Sequence, residues 1–139
     1  MKIPEFSTGM SKSVQKVISK EDTALNFGSG ALKTLLATPT LAALMIEAAV
    51  NVIDPLLPEK CITIGKSIEI KHEHPTREGM TVTVTAELAK VDGNMLSFEI
   101  TAYDEIGRIG TGYHVRQIVN YDILMKRVDE RIGMLENRP

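Results

Sequence analysis

Tryptophan is absent from this sequence of 139 residues, and aromatic residues make up only 4% of it. A chain so poor in rings has little with which to stack bases, which argues against a single-stranded nucleic-acid binder. Neither sign of charge dominates. Lys and Arg number 16 against 18 Asp and Glu, a formal net charge of −2, so there is no electrostatic case for nucleic acid or an anionic membrane. Cysteine occurs once, at Cys61. An internal disulfide is therefore impossible, and the cytoplasm is the expected compartment. The opening MKIPEFSTGM has no cationic region followed by an apolar core, so no secretion signal is expected. No apolar run is read as long enough to span a bilayer. There is no Gly-rich phosphate loop and no Cys/His/Asp cluster with structural-zinc spacing. His72-Glu73-His74 would bind a metal only adventitiously, so no metal site and no metal or redox cofactor is expected.

What the chain does contain is a globular composition, 43% hydrophobic and 24% charged, with length for one core. Residues 1–9 read as a flexible N-terminus and 10–139 as a single domain. Residues 11–19 form a candidate first strand, and 21–37 a helical piece or loop with turn chemistry at Gly28–Gly30. From Ile62 to Ala102 the hydrophobic period is two. Ile62, Ile64, Ile68, Ile70 and His72 share one parity; Val82, Val84, Ala86 and Leu88 share another, and so do Leu96, Phe98, Ile100 and Ala102. Val91-Asp92-Gly93-Asn94 is a hairpin signal and 104–107 a further turn. Residues 108–120 read as a last strand, whose glycines suggest a bulge or a close backbone approach. Residues 121–136 return to helical spacing through Leu124, Val128, Ile132 and Leu135.

The stretch LATPTLAALMIEAA, Leu36 to Ala49, carries the main question. Thr38 fits a helix N-cap and Pro39 the first helical position, where a missing N–H costs nothing. Residues 40–53 are nearly all apolar or small, the pattern of a buried helix, and Asp54-Pro55 ends it. Ala42, Ala43, Ala48 and Ala49 keep it thin enough for a sheet to approach. Glu47 interrupts it, on a stripe with Thr40, Asn51 and Asp54. Two readings of Glu47 stay open: a polar seam facing solvent or a second subunit, or a carboxylate that works in a site. One long apolar helix beside one antiparallel sheet is an α+β layout with the sheet wrapped around the helix.

Taken with IGKSIEIKHEHPTREGMTVTVTAEL and IGTGYHVRQIV, that stretch resembles the hotdog-fold acyl-CoA thioesterases, in the branch typified by fluoroacetyl-CoA thioesterase. The resemblance covers roughly residues 10–125. It implies a site built from a Thr at the start of the central helix, a Glu within that helix, a His on the following strand and a Gly N–H that helps bind the thioester oxygen. Residue by residue these fall on Thr38, His72 and Gly65, with an Arg at Arg116. The Glu does not carry over, because its place is taken by Ile46, with Glu47 next in sequence. The branch's aromatic lid segment is also missing; NFGSGALKTLLATP stands there, so fluoroacetyl selectivity is not expected.

The resemblance thus implies hydrolysis of an acyl-CoA thioester, with coenzyme A entering only as part of the substrate. Its catalytic residues would be Thr38, His72 and, by a small helix shift, Glu47. Gly65, Arg116 and Thr40 would contact substrate; Thr40 is also a stand-in for Thr38. Each has a plain structural reading beside it: a helix cap for Thr38, a core histidine for His72, a bulge for Gly65 and a solvated strand charge for Arg116. His74 reads as a rim residue, and His114 and Cys61 as structural. The competing class is a non-catalytic hotdog that binds acyl-CoA or another small ligand. A homodimer or dimer of dimers is expected, with no nucleic-acid or membrane partner.

Overall fold

The computed structural model describes residues 3–136. Chain order is β1 (Ser11–Val17), α1 (Thr38–Ile53), β2 (Cys61–His72), β3 (Thr81–Asp92), β4 (Met95–Tyr103), β5 (Arg108–Asn120) and α2 (Tyr121–Glu136). Short 3₁₀ turns at Lys20–Asp22, Ala24–Asn26 and Gly30–Leu32 join β1 to α1, and another at Asp54–Leu56 follows α1. All strand pairings are antiparallel, in the order β1-β3-β4-β5-β2. The expected α+β hotdog layout is what forms: one sheet with α1 against its inner face.

The inner face is written in the alternation. Val82, Val84, Ala86 and Leu88 of β3 and Leu96, Phe98, Ile100 and Ala102 of β4 are buried in one cluster with Leu41, Met45, Ala48, Ala49, Val52 and Ile53 of α1. Thr38–Leu56 is, at 19 residues, long and apolar enough to cross a membrane by composition, which corrects the expectation that no run suffices. Its place at the centre of the core is that of a globular core helix. Close approach to β5 depends on Gly112, where an added Cβ would sit 2.6 Å from Met45 Sδ. Asp92 pairs with Met95 across a two-residue turn whose first member, Gly93, has the positive φ of 60° that a primed hairpin turn requires.

Two further expectations are corrected. First, α1 is not buried all round: Ala43, Glu47 and Asn51 are exposed and Ile46 and Val50 half-buried, so one flank lies open. Second, β2 does not keep one parity. Its register against β5 shifts between Gly65 and Ser67, so Cys61 and Thr63 face inward before the shift, and Ile68, Ile70 and His72 after it. One extra residue in a strand sends every later side chain to the other face. Within residues 3–9 two contacts to the rest of the chain are present. Phe6 packs on the core, and Gly9 N–H donates to Leu88 O at 2.8 Å; residues 1 and 2 lie outside the described residues.

Candidate active site

The helix start differs from the cap expected for it. Ala37 is the N-cap, Thr38 the first helical residue, and no side chain caps the end. The Thr38 hydroxyl is therefore not used on the backbone. It lies 2.8 Å from His72 Nδ1 at the far end of β2. The first helical N–H groups have no intrahelical partner, and the helix dipole puts partial positive charge at this point.

Beside the pair is a cavity of about 440 Å³. Its polar edge is Thr38, His72, Glu73 and His74; its apolar wall is Ala24, Phe27, Leu32 and Leu35, from the turns before α1. Burial pushes the His72 imidazole below its ordinary pKa, because the charged form loses water. The ring is thus poised in its neutral, proton-accepting form. Its Nε2 is buried with no hydrogen-bond partner among the described residues.

The other expected site residues are not gathered here. Glu47 lies nine residues along α1, about 14 Å of helix rise from Thr38, and is exposed. Thr40 is buried, and its hydroxyl donates to Asp22 O at 3.0 Å, so it pins the preceding turn instead of standing in for Thr38. Arg116 is 7% exposed, not a solvated charge. Its Nε donates to Thr63 Oγ1 and its Nη2 to Thr63 O, both at 2.8 Å, and Asp54 accepts from Thr63 Oγ1. Burial lowers the Arg116 pKa and the Asp54 charge opposes that. So placed, Arg116 offers no open face to a phosphate. Gly65 sits beside Arg116, seven strand residues and about 20 Å from His72.

Sequence reasoning gave no role to Phe27, Leu35 or Glu73, and read His74 as a rim residue and His114 as structural. Glu73 and His74 line the cavity, Phe27 and Leu35 wall it, and His114, 2% exposed, bonds Arg116 and Ser67 O. The signal for His114 was its shared parity with Arg116 and Ile118, a face that β5 buries from His114 to Ile118.

Residues 18–122 match the family model of the fluoroacetyl-CoA-specific thioesterase. The chain belongs to this thioesterase family. The fluoroacetyl-CoA thioesterase of Streptantibioticus cattleyicolor is 34% identical over 97 residues, which is 70% of each chain. Among solved structures, a hot-dog-like protein from Thermanaerovibrio acidaminovorans superposes with a TM-score of 0.86 at 33% identity, covering 91% of this chain and 93% of that one. A variant of the fluoroacetyl-CoA-specific thioesterase gives 0.84 at 28%, covering 92% and 98%. Thr38 and His72, the residues on which the sequence resemblance placed a Thr and a His, meet here in a direct hydrogen bond, and Ile46 is half-buried.

Proposed function

We propose that this thioesterase-family chain hydrolyses acyl-CoA thioesters with Thr38 as nucleophile and His72 as general base. The observation that carries the assignment is the 2.8 Å contact between Thr38 Oγ1 and His72 Nδ1 at the mouth of the cavity. That is the separation of a nucleophile and its base. With the hydroxyl directly on Nδ1, the proton this nitrogen is placed to take is that of Thr38. Thr38 Oγ1 then attacks the thioester carbonyl while His72 accepts its proton. Coenzyme A leaves as thiol, taking that proton back. Water, deprotonated by His72, attacks the acyl-threonine ester; the free acid forms, and the departing Thr38 Oγ1 takes the proton back from His72. The open N–H groups at the start of α1 are suited to hold the oxyanion. No metal or redox cofactor enters these steps. The apolar wall suits a compact hydrocarbon acyl group, and with Phe27 its one aromatic residue we do not assign fluoroacetyl selectivity. Thiol release measured over a panel of acyl-CoA chain lengths tests the reading; no release from any member would end it.

The working unit in this reading is a homodimer or a dimer of dimers, in the cytoplasm, where a chain with one cysteine keeps its thiol. β2 is a long edge strand with an unpaired side, a template for another strand. The opposite edge, β1, carries Lys12 and Lys16 on the parity of Val14, inward-pointing charges that discourage pairing. Antiparallel pairing of β2 with its own copy, centred between Ile68 and Glu69, sets Gly65 of one chain opposite His72 of the other. It also brings the open flank of α1 toward its copy. Sedimentation at micromolar concentration should give a dimer or tetramer; a stable monomer would refute the assembly.

Glu47 has no part in the chemical step of this mechanism. Glu47→Gln should leave kcat within about threefold, below the range of general-base loss, and change the dimer dissociation constant instead. A hundredfold fall in kcat with the dimer intact would put the carboxylate back in the site.

A further inference from the structure

β2 carries an extra residue, Lys66, between Gly65, paired with Arg116, and Ser67, paired with Val115. The backbone carbonyls on both sides of that bulge are held by side chains of β5. His114 Nδ1–H donates to Ser67 O at 2.7 Å, and Arg116 Nη2 donates to Thr63 O at 2.8 Å. The two side chains are joined to each other, Arg116 Nη1 donating to His114 Nε2 at 3.1 Å. A guanidinium only donates, so His114 Nε2 accepts and the ring is neutral with its proton on Nδ1. Burial and the Arg116 charge depress the pKa of His114, outweighing the bond to Ser67 O, and keep the ring neutral; the donor at Nε2 and the acceptor at Nδ1 fix the tautomer. Gly65 rests on this pair: a Cβ there would lie 3.5 Å from Arg116 Nη1 and 3.6 Å from His114 Cε1.

Burying an imidazole and a guanidinium is costly, and apolar side chains would fill the same space. What they would not do is hold two carbonyls on either side of one irregular residue. A bulge re-aims the groups around it, and a bulge pinned on both sides aims them in one direction. Gly65 is too far from His72 of its own chain to share a site with it. In the β2-paired dimer it stands near the partner's Thr38–His72 pair.

We propose that His114 is a positioning residue that acts across the subunit boundary: it fixes the β2 bulge so that Gly65 N–H points at the thioester oxygen in the partner's site. The proposal rests on the thioesterase reading and on β2 pairing. His114 itself touches no substrate.

Three variants separate positioning from packing. Asn at position 114 keeps an amide N–H where Nδ1–H stood, whereas Gln and Ala do not. His114→Gln and His114→Ala should lower kcat by about 10- to 100-fold, at most the cost of losing one oxyanion donor, with KM within about threefold. His114→Asn should recover most of the loss. Mixed dimers test the crossing directly. Combining His72→Ala chains with His114→Gln chains leaves one site per heterodimer with both native residues, so about a quarter of parent activity should return after random exchange. Equal, parent-like kcat for Asn and Gln would overturn the proposal, and so would mixed dimers of soluble variants that stay inactive. If the Ala variant does not fold, the Asn and Gln pair decides. If the parent releases no thiol from any acyl-CoA, the thioesterase reading falls separately. The Gly65 amide resonance then reports on His114 alone: sharp in parent and Asn variant and broadened in Gln if His114 fixes the bulge, unchanged in Gln if it does not.

Discussion

Replacing His72 by alanine should lower kcat/KM by about 10³-fold, within the range for loss of a general base, while the protein stays folded. That factor is about 4 kcal/mol of transition-state stabilisation. The stability cost is small for a structural reason. His72 is only half-buried at the end of its strand, and one of its ring nitrogens is already without a partner. Its one side-chain bond is to an exposed threonine, whose hydroxyl can turn to water. The pH profile carries the same claim. Burial lowers the His72 pKa below its ordinary value of 6.5, so the base stays unprotonated at pH values where a free histidine is charged. The acid limb of kcat/KM should therefore lie below pH 6.5, activity falling as pH drops through the lowered pKa. Turnover within a few-fold of parent in His72→Ala, or an acid limb well above 6.5, would reduce His72 to a core histidine. His74→Ala should cost much less, because His74 is exposed at the rim and has no side-chain bond to Thr38.

The fold was readable because most of its strands obey one simple alternation. β3 buries one parity from Val82 to Leu88 and β4 one from Leu96 to Ala102, and the sheet they belong to left α1 a single place to go. The site was readable only where it depends on element ends. Thr38 and His72 meet because one begins α1 and the other ends β2, and both ends were marked by proline nearby. What could not be read depends on contacts between elements. The parity of Ile62 and Ile64 looked continuous with that of His72, yet the bulge at Lys66 puts them on opposite faces; Gly65 hinted at a bulge, but a glycine alone does not say that the register shifts. Thr40 and Arg116 had the composition of site residues, and their burial against Asp22 and Thr63 is a tertiary fact. Glu47 posed the opposite problem. It looked like a carboxylate sunk in an apolar helix, but α1 turns that flank away from the sheet, so there is no buried charge to explain.

Thr38 gives the second large effect, and the position of the residue in the helix makes the test clean. Had it been the N-cap, removing its hydroxyl would have cost about 1 kcal/mol of helix stability and confused every kinetic result. As the first helical residue it caps nothing, since Ala37 holds the cap position and the hydroxyl is spent on His72. Thr38→Ala should thus melt close to parent and lose about 10³-fold in kcat, comparable to His72→Ala. The double variant should lose little more than either alone, because a nucleophile and its base act as one unit. Thr38→Ser, which keeps the hydroxyl but gains χ1 freedom, should remain within about tenfold of parent. Rapid mixing then decides how the hydroxyl acts. A covalent acyl-threonine predicts a burst of thiol equal to the concentration of sites whenever the second step is slower. It also predicts an added acyl mass on Thr38 in a quenched sample. If Thr38→Ala retains a tenth of parent turnover and neither burst nor adduct is seen in the parent, Thr38 orients water, and His72 draws its proton from that water.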